Sequence, residues 1–257
     1  FAKALLLGDT SELSYTVDTS LKVSGIRHIV AVSGLHVSAL FGAIYFLLRR
    51  RRVLSVLVCV PVLLFFAAVT GFSPSVVRAS LMAGLMALGS AINEEYDGLT
   101  SLSFASLVML FANPFVISSV SFQLSVASVA GILLLAAPIS ARIVGLFPKV
   151  KAKSAGGRAI RWVAGAVSVC VSATLFSTPL SAYYFGAVSL IGVLANLLII
   201  WMIPPLFCGI AVVGAFGGVV PQLCGPLAWL LSWVIRLILW MARLMSRIPF
   251  AAVYTQS

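Results

Sequence analysis

Two histidines, a serine and a glycine fall inside one apolar segment, His28-Ile-Val-Ala-Val-Ser-Gly-Leu-His36. Ser33 and His36 stand three apart, which on a helix puts them on one side, and a serine with a histidine can act as nucleophile and base. Such chemistry would also need oxyanion donors and a shielded water path, and no motif supplies either. The other reading is structural: Gly34 loosens the helix, while Ser33, His28 and His36 satisfy exposed backbone or neighbouring helices. Arg78 is the other sharp residue, set between the turn-like Gly71-Phe72-Ser73-Pro74 and the apolar run 79–92. A cation at a span centre costs about 2.5–3.5 kcal/mol on insertion scales, so it faces a cavity or a partner, or snorkels to a nearby interface. Facing a wet path, its planar fork would attract a phosphate.

Asn113-Pro114, Gln123, Tyr183, Tyr184, Asn196 and Pro204-Pro205 are further polar or helix-breaking points in apolar runs. Each has an ordinary structural use, since proline ends or kinks a span, tyrosine favours the interface and asparagine bonds across helices. Cys59, Cys170, Cys208 and Cys224 stand singly in apolar surroundings and read as packing residues. The sequence carries no phosphate loop, metal cluster or cofactor motif, so no metal or cofactor is expected and no energy source is visible.

The elements that must position these residues are membrane spans. At 61% hydrophobic and 9% charged residues, with a mean hydropathy of +1.15, the chain exceeds what a globular core with a polar shell accommodates. Residues 98–141 and 162–235 contain no Asp, Glu, Lys or Arg at all, and each stretch has room for several crossings of about 20 residues. The net charge of +11 would suggest nucleic acid in a soluble protein, but loops of membrane proteins collect Lys and Arg as a matter of topology.

Residues 1–27 are the one long water-compatible stretch and read as an extramembrane or interfacial lead-in. The first residue is Phe1 and the first apolar run is too short for a signal-peptide core, so the chain reads as a fragment of a longer protein. After the lead-in, residues 28–257 form an all-α polytopic domain of about nine transmembrane or re-entrant helices. They are expected near 28–48, 53–70, 76–93, 98–113, 120–141, 162–178, 182–203, 206–220 and 227–246.

With alternating crossings, Arg49, Arg50, Arg51 and Arg52 share the cytoplasmic side with Arg142, Lys149, Lys151, Lys153, Arg158 and Arg161. Arg243 and Arg247 also fall inside, and the lead-in outside. Small residues at helical spacing, Gly34, Ser38 and Gly42 with Ser80 and Gly84, predict close backbone approach. Ser118, Ser121, Ser125 and Ser128 form a stripe that either lines water or packs.

Five blocks, in order, resemble the membrane-embedded competence domain of ComEC-type DNA-uptake proteins: LLLGDTSELS at 5–14, HIVAVSGLHV at 28–37, GFSPSVVRASLMA at 71–83, NPFVISSVSFQLSVASVAGILL at 113–134 and TPLSAYYFGAVSLIGVLANLL at 178–198. The resemblance implies a multi-pass protein of the bacterial cytoplasmic (inner) membrane that passes one strand of incoming DNA inward during natural transformation. It implies single-stranded DNA as cargo, the lipid bilayer as surroundings, and a cytoplasmic ATP-dependent helicase and a DNA-receptor protein as partners. Proteins of this family often carry an OB-like and a metallo-β-lactamase-like domain as well; residues 1–27 are too few for the former, so any nuclease activity is not assigned to this chain, which is read as a channel and not an enzyme.

A wet path for a single strand needs polar or basic groups for phosphates and aromatic faces for bases. His28, Ser33, Gly34, His36, Arg78, Gln123 and Asn196 could serve the first need, and Tyr183, Tyr184 and Phe185 the second. Two other functions fit the residues alone: a secondary transporter of a small solute, from broken glycine-rich spans, and an intramembrane hydrolase on Ser33 and His36.

Overall fold

A computed structural model describes residues 1–8, 11, 13–30, 32–48, 51–147, 154–189, 191–218, 220–248 and 252–254. Arg49, Arg50, Lys149, Lys151 and Lys153 lie outside the described residues. The lead-in folds as two short helices, α1 (Ala2–Leu7) and α2 (Tyr15–Val23), followed by the single turn α3 (Arg27–Val30). Asp18 ties this region together through Lys22 Nζ and Arg27 Nε, each at 2.8 Å. Its burial pushes the carboxyl pKa up, but the hydrogen bonds and charges of Lys22 and Arg27 outweigh that and hold it below the usual value.

The apolar helices follow: α4 (Gly34–Leu48), α5 (Arg52–Val69), α6 (Pro74–Ile92), α7 (Gly98–Ala112), α8 (Val120–Gly145) and α9 (Ala155–Phe185). After them come α10 (Gly192–Ile199), α11 (Ile203–Phe216) and α12 (Pro221–Ser246). Their ends carry the signals expected of helix termini. Pro74 opens α6, where its missing N–H is no loss. Asn93 closes α6 in the left-handed conformation, and the Asp97 side chain caps α7 by accepting the Thr100 amide at 2.7 Å. Asn113 caps the 3₁₀ turn 114–118 in the same way, through the Phe115 amide at 3.0 Å.

Six helical runs are long and apolar enough to cross a membrane, and the chain is a multi-pass membrane protein. The large apolar side chains on its surface, among them Leu57, Phe65, Phe111 and Leu134, are what a lipid-facing exterior requires. Six such runs, against the nine expected, are that long among the described residues. α9 runs unbroken through Pro179, so the boundary placed between 162–178 and 182–203 falls inside one helix. α10 and α11 join through a 3₁₀ turn into the single run Gly192–Phe216, and 182–203 is no span of its own. Two shorter apolar helices, α4 and α7, accompany them.

The contacts at the helix ends place the end of the chain. The start of α6 touches the start of α8 through Ser75 and Ser121 Oγ at 2.9 Å, and the start of α8 meets the end of α9 through Gln123 and Tyr184. Beyond α9, β1 (Ala187–Ser189) pairs antiparallel with β2 (Ala252–Tyr254), and Ser189 Oγ donates to the Val23 carbonyl at 2.9 Å. α12 packs against α2. Arg243 and Arg247 therefore lie at the lead-in end, opposite Arg52, whose guanidinium meets the Ser90 carbonyl at the far end of α6. The expectation that they share a side with Arg51 and Arg52 is corrected.

One core joins α1, α2, α4, α5, α6, α10, α11 and α12 around Leu5, Val37, Leu63, Ile199, Phe207 and Ile238. α8 and α9 pack along each other separately, where a Cβ on Gly131 would come within 2.5 Å of the Ser172 carbonyl. The small-residue expectation holds at Gly34, whose Cβ would meet Ala79 at 3.3 Å, but a Cβ on Gly42 or Gly84 would meet nothing within 4 Å.

Candidate functional site

The segment bearing both histidines is not one helix. α3 ends at Val30 and α4 begins at Gly34, so Val32 and Ser33 form part of a break between them. The break is closed from within: the Ser33 amide donates to His36 Nδ1 at 3.1 Å, and Ser33 Oγ lies 3.3 Å from the same nitrogen. An imidazole nitrogen has one lone pair, and the amide engages it. His36 thus caps the start of α4 with its side chain, and the neutral ring carries its proton on Nε2. That nitrogen is buried without a hydrogen-bond partner. The ring is fully enclosed and meets Phe207 edge-on at 5.0 Å, so α11 supplies one wall.

Arg78 enters from α6. It is only 4% exposed, and its Nε and Nη1 have no hydrogen-bond partner. Its Nη2 lies 3.4 Å from where a Gly34 Cβ would be, which places the guanidinium against the first residue of α4. No carboxylate pairs with it among the described residues: Asp18 is engaged by Lys22 and Arg27, and Glu94, Glu95 and Asp97 follow the other end of α6. The starts of α4, α6 and α8 all face this end, so their dipoles add positive potential. With no counter-charge paired to it among the described residues, a buried cation in that setting is suited to receive an anion.

The other sequence candidates divide. Gln123 is bridged rather than free: Tyr184 Oη donates to its Oε1 at 2.8 Å, and its Nε2 donates to the Ile117 carbonyl at 2.8 Å. Tyr183 and Tyr184 are edge-to-face at 5.1 Å at the exposed end of α9, beside Phe185. The Ser75 and Ser121 contact connects this group to α6, one turn before Arg78. His28 is exposed on α3. Asn196 belongs to α10, which packs on α9 and α12, and its Oδ1 is buried without a partner. Phe207 and Ser75 were not among the sequence candidates. Ser75 stood in the same block as Arg78 at a spacing of three, which was its available signal; Phe207 had none.

The profile of the competence protein family matches residues 5–257. This chain belongs to that family. Among curated relatives of this competence protein, ComE operon protein 3 of Bacillus subtilis (strain 168) is 31% identical over 258 residues, covering 98% of this chain and 30% of the relative. An uncharacterized protein of Aquifex aeolicus (strain VF5) is 36% identical over 132 residues, covering 51% of this chain and 32% of that protein. The chain thus spans about a third of the length of these relatives. No solved structure matches it.

Proposed function

We propose that this domain passes single-stranded DNA across the bacterial cytoplasmic membrane during uptake for natural transformation. The observation that carries the reading is Arg78: a buried guanidinium with two unpartnered nitrogens and, among the described residues, no carboxylate paired with it, set at the broken start of α4 in a competence protein. A phosphodiester arriving there gains charge-assisted hydrogen bonds that the protein itself leaves unmade. Between Arg52 and Glu94 Arg78 is the one charged residue, which lets the strand leave that site again, as conduction requires.

In this reading the lead-in end receives the strand, from a DNA-receptor protein, and the opposite end, with Arg51, Arg52, Arg142, Arg158 and Arg161, faces the cytoplasm, where an ATP-dependent helicase draws it in. Ser33 and His36 shape the path and carry out no catalytic step. The test is transformation frequency together with nuclease-protected internal DNA in the source bacterium, using the full-length parent protein with Arg78→Ala or His36→Ala at matched expression. Loss of internal DNA with surface binding retained is expected; unchanged uptake in both variants refutes the assignment.

A further inference from the structure

α12 divides its two faces sharply. Cys224, Leu231, Ile238, Ala242 and Met245 are buried against the rest of the fold. On the opposite side, in steps of four, three, four, three and four, run Trp229, Trp233, Arg236, Trp240, Arg243 and Arg247, all exposed. At 3.6 residues per turn these six lie within an arc of about 80° and extend about 27 Å along the axis. The Arg236 guanidinium stands over the Trp233 ring at 5.5 Å. No carboxylate pairs with Arg236, Arg243 or Arg247 among the described residues.

Resting on the reading of strand passage, we propose that single-stranded nucleic acid runs along this outer face of α12, its bases against the three indoles and its phosphates on the three guanidinium groups. Interleaved cations and aromatic rings are the chemistry by which a single strand is held without regard to sequence. Lipid is a poor occupant, because Trp233 and Arg236 lie near the middle of a 26-residue helix. Membrane tryptophans gather at the two interfaces, and a lipid-facing arginine at mid-depth is costly. A second copy of the chain is also disfavoured, since a two-fold contact would set arginines against arginines. A duplex would use the arginines and leave the indoles idle.

The full-length parent protein, purified in detergent micelles, is titrated with a fluorescein-labelled oligodeoxythymidylate while anisotropy is followed over a salt series. Trp233→Leu should weaken binding by about 5- to 150-fold with the salt slope unchanged. Arg236→Gln should lower the slope by about 0.7, the release expected for one phosphate contact on a single strand. Arg243→Gln, at the helix end, should lower it equally, which covers the case in which a mid-helix variant fails to fold. Wild-type affinity and slope in all folded variants overturn the proposal, and so does a change of oligomeric mass on light scattering with DNA affinity unaltered. If the unmodified parent binds no oligonucleotide, strand passage falls with it; if the parent binds and the variants match it, the α12 assignment alone falls.

Discussion

Arg78→Met should make the protein more stable while disabling it. The arginine places two donors, Nε and Nη1, in the interior without acceptors, and each such group costs about 1–3 kcal/mol. On insertion scales a cation at a helix centre costs about 2.5–3.5 kcal/mol. Arg78 lies about 6 Å, four residues, inside the start of α6, which reduces that figure. Methionine keeps an unbranched stem of similar reach and fills irregular space without strain. A net gain of about 2 kcal/mol remains, roughly 30-fold in the ratio of folded to unfolded protein. The assay is reversible denaturation of the full-length parent in micelles, run beside transformation of cells carrying the same variant. Arg78→Lys is the companion: it retains the charge and loses the fork, so uptake should fall with little change in stability. A methionine variant less stable than wild type by more than about 1 kcal/mol would refute the reasoning, since the guanidinium would then be held by the protein itself.

Two further outcomes follow from the fold. With Cys59, Cys170, Cys208 and Cys224 replaced by alanine, Arg52→Cys and Arg243→Cys should react with a membrane-impermeant maleimide from opposite faces; labelling from one face would restore the nine-crossing topology. Acidification should loosen the lead-in through Asp18, whose pKa is depressed in the folded state by Lys22 and Arg27 against the opposing effect of burial. That contribution is complete above the unfolded value of about 3.9 and is lost as pH falls through the lower folded one. Proteolysis of residues 1–27 should therefore accelerate in that acid range, and Asp18→Asn should remove this part of the pH dependence.

The spans legible in the sequence were those bounded by turn chemistry. Gly71 to Pro74, the acidic stretch before Gly98 and Asn113-Pro114 each marked an end that the structure respects. Pro179 misled for the same reason, because proline is a boundary signal in water. Inside a bundle its lost hydrogen bond is tolerated, and Thr178 Oγ1 and Ser177 Oγ turn back to the Thr174 carbonyl at 2.7 and 3.4 Å beside it. Ser33, His36 and Arg78 could each be singled out by type and depth. That Gly34 and Arg78 touch could not, since 44 residues separate them and no local rule sets the packing of α4 on α6. Likewise Ser33 and His36 suggested a reactive pair by spacing, whereas their hydrogen bonds depend on where α4 begins.

The pairing of β1 with β2, and of α2 with α12, also says something about the order in which the molecule can be made. Helices of a polytopic protein enter the bilayer as the ribosome delivers them, and α6 to α9 find their neighbours close by in the chain. Residues 15–23 must wait for residues 221–246, with nearly the whole domain synthesised in between. Until α12 arrives, part of the apolar side of α2 has no partner and Ala187–Ser189 has no second strand. Docking of α2 on α12 therefore waits until both have been made, and a chain interrupted before α12 would leave that side of α2 uncovered.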